Sequence, residues 1–179
     1  MARNSSGKGA ASEEEFVEFA AARSGPLFRS AYFLTGGDKH LAEDLVQETL
    51  GRMFAQWHRV DRLGRRIADP AAYAQTVLVR QFLSHQRRRS TGERPSALLP
   101  DRVAPEADPS LRIALTEALA QLAPKDRAVL VLRYWEDRSV EETAAMMRAN
   151  VGAVRARSSR ALVKLRALLG DSLAELAIR

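Results

Sequence analysis

The sequence predicts an all-α protein of two small helical domains joined by a Pro-rich flexible linker, the second containing a helix-turn-helix. Three observations predict it. Apolar residues recur at helical spacing almost throughout, with no convincing strand alternation. Residues 91–109 carry four prolines and no periodicity. The stretch Arg138–Arg166 joins a short capped helix to an acid-free basic one. The expected organisation is a flexible leader at 1–12, a first domain at 13–90, a linker at 91–109, a second domain at 110–170 and a tail at 171–179.

The elements follow in order. A first helix from about Glu13 to Arg23 puts Phe16, Phe19 and Ala20 on one side, and Ser24-Gly25-Pro26 is expected to break it. A second helix carries Leu27, Phe28, Ala31, Tyr32 and Leu34 to a stop at Thr35-Gly36-Gly37. Asp38 caps a long third helix to about Trp57, with Val46, Leu50, Met53, Phe54 and Trp57 as its core-facing stripe. An Arg-rich loop runs from His58 to Asp69. Asp69-Pro70 then starts a fourth helix to about Arg89, with Tyr73, Val77, Leu78 and Phe82 inward. Beyond the linker, helices are expected at Ser110–Leu122, Pro124–Trp135, Ser139–Met147 and Val151–Leu169. Each half is small, buries only about 60% of its unfolded surface, and should gain stability from a partner.

The last two helices have the clearest local grammar. Ser139 followed by Glu142 is a capping box, in which two orphan backbone donors are satisfied reciprocally. Val140, Ala144 and Met147 share a face, and Asn150 is a good N-cap for the helix from Val151. Val151 and Val154 continue the buried stripe, leaving Arg155, Arg157 and Arg160 to project outward. Residues 148–166 hold six bases and no acid. A capped helix, a tight turn and a basic helix describe a reader of the DNA major groove.

Charge is unevenly placed along the 179 residues, whose net charge is +6. Residues 12–58 hold eight acids and four bases, whereas residues 59–94 hold nine bases and three acids. Two separate basic footprints suggest a polyanion met at two places. The absence of cysteine excludes disulfides and thiolate metal sites. His40, His58 and His85 are too scattered for a metal motif, so no metal or cofactor is expected. The polar first residues and the lack of any long apolar run lead to an expected cytoplasmic location. The residues point to DNA binding and leave open an autonomous helix-turn-helix regulator whose N-terminal half senses something or dimerises. An enzyme such as a nuclease lacks paired carboxylates, a His cluster or a phosphate-gripping glycine loop.

Taken together, AEDLVQETLGRMFAQW in the first half and LAPKDRAVLVLRYWEDRSVEETAAMM with VGAVRARSSRA in the second resemble an extracytoplasmic-function (ECF, group 4) sigma factor of bacterial RNA polymerase, of the actinobacterial type. The resemblance covers nearly everything after residue 12. It implies a non-enzymatic promoter-specificity subunit that binds core polymerase, recognises −35 as duplex and −10 as opened single strand, and promotes transcription initiation. It implies that the DLVQE helix docks on the clamp of the largest subunit through Asp44, Gln47 and Glu48, with Arg52 at the edge. A second contact is implied with the flap of the second-largest subunit. The −10 element would meet Arg62, Arg65 and Arg66 in the loop, then Arg80, Ser84, Arg87, Arg88 and Arg89 on the fourth helix. The −35 element would meet Gly152, Ala153, Arg155, Arg157, Ser159 and Arg160. The resemblance also implies an anti-sigma factor as inhibitory partner, and association with the nucleoid when in holoenzyme.

Four positions depart from the family pattern. Arg80 and Ser84 stand where many members have Asn and Asp, so the −10 bases do not carry over. Arg148 stands where the family often has Gly, which raises a question of backbone strain. Ser158 replaces a common apolar residue, suggesting looser packing beneath the recognition helix.

Overall fold

The computed structural model describes residues 6–57, 67–90 and 109–177, with side chains over 13–57, 67–89 and 110–170. Among the described residues seven α-helices follow one another: α1 (Ser6–Thr35), α2 (Lys39–Trp57), α3 (Pro70–Ser90), α4 (Pro109–Ala120), α5 (Pro124–Leu130), α6 (Val140–Met147) and α7 (Val151–Ala177). A π-helical turn, Val131–Trp135, continues α5. Among the described residues there is no strand. The expected linker lies largely outside the described residues, as do Arg62, Arg65 and Arg66.

Helix starts follow the local signals. The Asp38 carboxylate accepts from the Leu41 N–H at 3.0 Å, and Asp69 accepts from the Ala72 N–H at 2.9 Å. Each satisfies one orphan donor of a helix N-terminus. The helix end after Leu34 is equally local. Gly36 and Gly37 have φ of +69° and +93°, and their N–H groups donate to Phe33 and Tyr32 oxygens at 3.2 and 2.9 Å. This is a Schellman end, which satisfies two of the last four carbonyls.

One expectation is corrected. Ser24-Gly25-Pro26 does not break the first helix: α1 runs through Pro26, and it begins at Ser6, inside the expected leader. An interior proline costs about 3 kcal/mol. Phe16 before it and Leu27, Ala31 and Leu34 after it are all buried in one core, so packing on both sides outweighs the local penalty. Proline leaves the Ala22 carbonyl without its donor, and Ala22 is exposed, where water can serve it. The Ser24 hydroxyl donates to the Ala20 carbonyl just before it.

In the first half, Leu34 of α1, Met53 of α2 and Leu78 and Phe82 of α3 are essentially inaccessible to solvent. The rings of Phe16, Phe19, Phe54 and Trp57 tie the start of α1 to the end of α2, with Phe16–Trp57 and Phe19–Trp57 centroids 5.2 and 5.0 Å apart. In the second half a small cluster of Val129, Ala144 and Val154, flanked by Val140, Met147 and Val151, holds the helix-turn-helix together.

A second correction concerns independence. The halves, joined by a linker expected to be flexible, share one continuous core that includes Leu34 and Phe82 on one side and Leu119, Leu130, Leu132 and Met146 on the other. Phe33 stacks edge-on with Trp135 at 4.7 Å. A Cβ at Gly36 would sit 2.8 Å from the Ala120 Cβ, and one at Gly37 would sit 2.9 Å from Thr116 Cγ2. These two glycines therefore end α1 and also let α4 approach it. Arg127 of α5 donates to the Leu34 carbonyl at 2.8 Å, which the Schellman end leaves open, and to the Ala120 and Leu122 carbonyls at 2.9 and 3.1 Å. Its guanidinium is buried, which lowers its pKa to about 10.

Candidate nucleic-acid interface

The helix-turn-helix is built as its sequence predicts. Ser139 Oγ accepts from the Glu142 N–H at 3.0 Å, and the Glu142 carboxylate accepts from the Ser139 N–H at 2.7 Å. The Ser139 N–H first, and then the Ser139 hydroxyl, hold the Glu142 carboxyl below its ordinary pKa. Arg148 ends α6 in the left-handed region, at φ 51° and ψ 49°. That is a conformation glycine adopts freely, and arginine meets it at a cost of about 1–2 kcal/mol. Asn150 Oδ1 accepts from the Gly152 N–H at 2.7 Å and starts α7.

The first turns of α7 present Gly152, Ala153, Arg155, Ser159 and Arg160 to solvent. Arg155 reaches Glu141 of α6 at 3.2 Å, with both side chains mostly exposed, a weak contact that a phosphate can displace. Arg157 differs from the expectation that it projects outward. It pairs with Asp126 of α5 at 2.6 Å, with both side chains largely covered, and so ties α7 to α5. Ser158 is buried rather than loosely packed, its hydroxyl 3.1 Å from that of Tyr134.

On α3 the sites are dispersed. Arg87 and Arg88 are exposed and Arg89 is half-exposed, while Ser84 is partly covered. Burial, then Arg89 and Arg88, push the neighbouring His85 imidazole below its ordinary pKa, a sign of the positive field at this helix end. Tyr73 is half-buried and Phe82 fully buried, so Phe82 is core. Arg80 is not open: its Nε donates to the Met146 carbonyl at 2.8 Å and its Nη2 to the Ala145 carbonyl at 3.1 Å, both on α6.

On α2, Asp44 and Gln47 are exposed together. Glu48 lies on the same face but is engaged, accepting from Arg52 at 2.7 Å and, with the buried Gln81 amide of α3 turned so that its nitrogen faces the carboxylate, from Gln81 at 2.7 Å. The acidic ridge is thus partly a tie between α2 and α3. Gln75, Glu136 and Arg138 form a network between the halves that nothing in the sequence singles out. Arg138 donates to the Gln75 oxygen at 2.9 and 2.6 Å, the Gln75 amide donates to Glu136, and so does the Ser30 hydroxyl. Among the described residues no group of three or more His, Asp or Glu could hold a metal, and no helix is long and apolar enough to cross a membrane.

Residues 21–91 match the Sigma-70 region 2 family and residues 118–167 match Sigma-70, region 4. The RNA polymerase sigma-E factor of Streptomyces coelicolor is 37% identical over 154 residues, covering 85% of this chain and 84% of that protein. The ECF RNA polymerase sigma factor SigL of Mycobacterium tuberculosis is 31% identical over 151 residues, covering 81% and 83%. The structure of CnrH in complex with the cytosolic domain of CnrY superimposes with a TM-score of 0.58 at 25% identity, covering 89% and 90%. Region 2 contains α2 and α3, and region 4 contains the capped helix-turn-helix. The chain therefore belongs to the extracytoplasmic-function sigma factors, the promoter-recognition subunits of bacterial RNA polymerase, in their actinobacterial form.

Proposed function

We propose a division of labour for the promoter recognition and initiation that this sigma factor carries out. The exposed Asp44 and Gln47, with Glu48 and Arg52 behind them, meet the clamp of the largest polymerase subunit. A small acidic, hydrogen-bonding face suits a basic partner helix and favours specificity and encounter rate. Arg155, Ser159 and Arg160 meet the −35 duplex, with Gly152 and Ala153 allowing close backbone approach at the α7 N-terminus. Arg157 contributes mainly through its tie to Asp126. Arg80, Ser84 and Arg87 to Arg89, with Arg62, Arg65 and Arg66 of the loop, meet the opened −10 strand, where cations follow the backbone. Flap contact falls to the second half. For an inhibitory anti-sigma partner, the support is the family resemblance.

The observation that carries this reading is the acid-free first face of α7, held outward by a capped and sharply turned α6. Co-elution with core polymerase and run-off transcription separate the assignments. Asp44→Ala with Gln47→Ala should weaken co-elution by about tenfold, equivalent to 1.4 kcal/mol. Arg155→Ala or Arg160→Ala should leave co-elution intact and reduce −35-dependent transcription, by about 1–3 kcal/mol where a guanine edge is read. Undiminished co-elution of the α2 variant removes the docking assignment. Tight duplex binding without polymerase would instead favour an autonomous regulator.

A further inference from the structure

Two residues in the middle of the recognition helix are turned away from solvent and tied down. Arg157 pairs with Asp126 of α5 at 2.6 Å, with side chains only 31% and 26% exposed. The buried Ser158 hydroxyl lies 3.1 Å from that of Tyr134. Successive residues of a helix are about 100° apart, and the buried Val154 and Ala161 fall between Arg157 and Ser158 around the axis. The two ties therefore flank the packed stripe of α7, one on each edge. Asp126 lies in the first turn of α5 and Tyr134 in the π-helical turn that continues it, so the anchors also stand at opposite ends of one helical segment. The buried members of the apolar cluster here, Val154 with Val129 and Ala144, are short. Short side chains hold a helix down but interlock little, so they resist its rotation weakly.

We propose that Asp126 and Tyr134, which lie off the recognition helix, set the base preference of the −35 contact through a two-point lock on Arg157 and Ser158 that fixes the roll of α7. The proposal rests on the assignment of Arg155, Ser159 and Arg160 to the −35 duplex. Rotation one way stretches the Arg157–Asp126 pair, and rotation the other way stretches Ser158–Tyr134. Around the axis the exposed Arg155 and Ser159 follow the Ser158 edge, and the exposed Arg160 follows the Arg157 edge. Each tie thus governs the contact beside it. A roll of about 20° carries a side-chain end about 6 Å from the axis through about 2 Å, enough to break a hydrogen bond to a base edge. The Arg157 pair is short and charge-assisted, whereas the exposed Arg155–Glu141 pair at 3.2 Å leaves Arg155 free to turn toward DNA. Arg157, Ser158, Asp126 and Tyr134 are positioning residues, and the cations beside them do the reading.

Run-off transcription by reconstituted holoenzyme, from a promoter library randomised over both elements, reads the preference at every −35 base. Arg155→Ala and Arg160→Ala mark the positions those side chains read, where the parent should discriminate by about fivefold or more. At the same positions Asp126→Ala and Arg157→Ala should each lower discrimination to about twofold, with the double variant going no further. Asp126→Glu, which keeps the carboxylate, should retain most of it. Ser158→Ala, a change that a buried helix position tolerates, should relax the Arg155 positions more than the Arg160 positions. Co-elution with core polymerase and helical circular dichroism should be retained in all of them. On the promoter the parent prefers, Arg157→Ala should leave the salt dependence of binding unchanged. A slope lower by about 1 would make Arg157 a phosphate contact and overturn the lock. Transcription reduced by one factor at every sequence in Asp126→Ala, with base preference unchanged, also overturns it. If Arg155→Ala and Arg160→Ala leave every preference as it was, the −35 assignment falls and takes the lock with it.

Discussion

Two helix ends at the junction are finished in the same way and held with different firmness. α1 ends on left-handed Gly36, and its spare Leu34 carbonyl is taken by Arg127 from the second half. α6 ends on left-handed Arg148, and its spare Met146 carbonyl is taken by Arg80 from the first half. Each half therefore caps a helix of the other with a guanidinium. Arg127 is buried and serves three carbonyls across two helix ends. Arg80 is half-exposed, serves carbonyls at one end and faces another arginine. Where water is excluded, the contact is a strut whose loss leaves buried acceptors unmatched. Where water can enter, the same contact is one option among several for the arginine.

The largest expected effect breaks the first of these caps. Arg127→Ala removes hydrogen bonds from a charged donor, each worth about 1.5–3 kcal/mol, and orphans buried carbonyls. A loss of roughly 3 kcal/mol or more should appear in urea unfolding, with Arg127→Lys recovering part of it because an ammonium cannot span all three acceptors. Arg80→Ala should cost under about 1 kcal/mol in the same assay, because solvent replaces its contacts. Equal losses for the two would erase the distinction between strut and exchangeable contact.

That distinction was invisible in the sequence, although much around it was legible. The caps at Asp38, Asp69, Ser139 and Asn150, the stop at Gly36 and the left-handed strain at Arg148 all lie within a few residues of their partners. The junction does not: Arg80 reaches its acceptors across 66 and 65 residues, Arg127 reaches Leu34 across 93, and Ser30 reaches Glu136 across 106. Gln75 looks like any polar residue on a helix, and Trp135 like any core aromatic. Pro26 failed as a stop signal for the same reason, since the packing of Leu27 and Ala31 that overrides it is tertiary. The outward direction of Arg157 failed because Asp126 is 31 residues away. Residue chemistry and the two family motifs revealed the candidate site, but not which of its cations are already engaged.

A smaller change sharpens the comparison at the second helix end. Arg148→Gly gives α6 the same ending residue as α1 and relieves the left-handed strain. The greater freedom of glycine in the unfolded chain offsets part of that relief, leaving a net gain of at most about 1 kcal/mol. Removing the Arg148 charge beside Arg80 also removes a repulsion from the contact of Arg80 with the end of α6. Lower stability in the same urea assay would mean that the arginine side chain itself supports the turn.

A further contrast lies at the opposite end of α6, where the cap is local and solvent-exposed. Ser139→Ala should cost about 1 kcal/mol, the usual value of an N-cap hydroxyl. The Glu142 carboxyl is lowered by its bonds to Ser139, so its contribution is complete above the ordinary glutamate value of 4.5 and is lost as pH falls through the depressed one. Glu142→Gln keeps a side-chain acceptor for the Ser139 N–H but cannot titrate, so its thermal midpoint should fall less on acidification than the parent's. The two midpoints should converge at the acid end. Parallel pH curves would show that the box closes through Ser139 alone, and that the start of α6, unlike its end, depends on a single hydrogen bond.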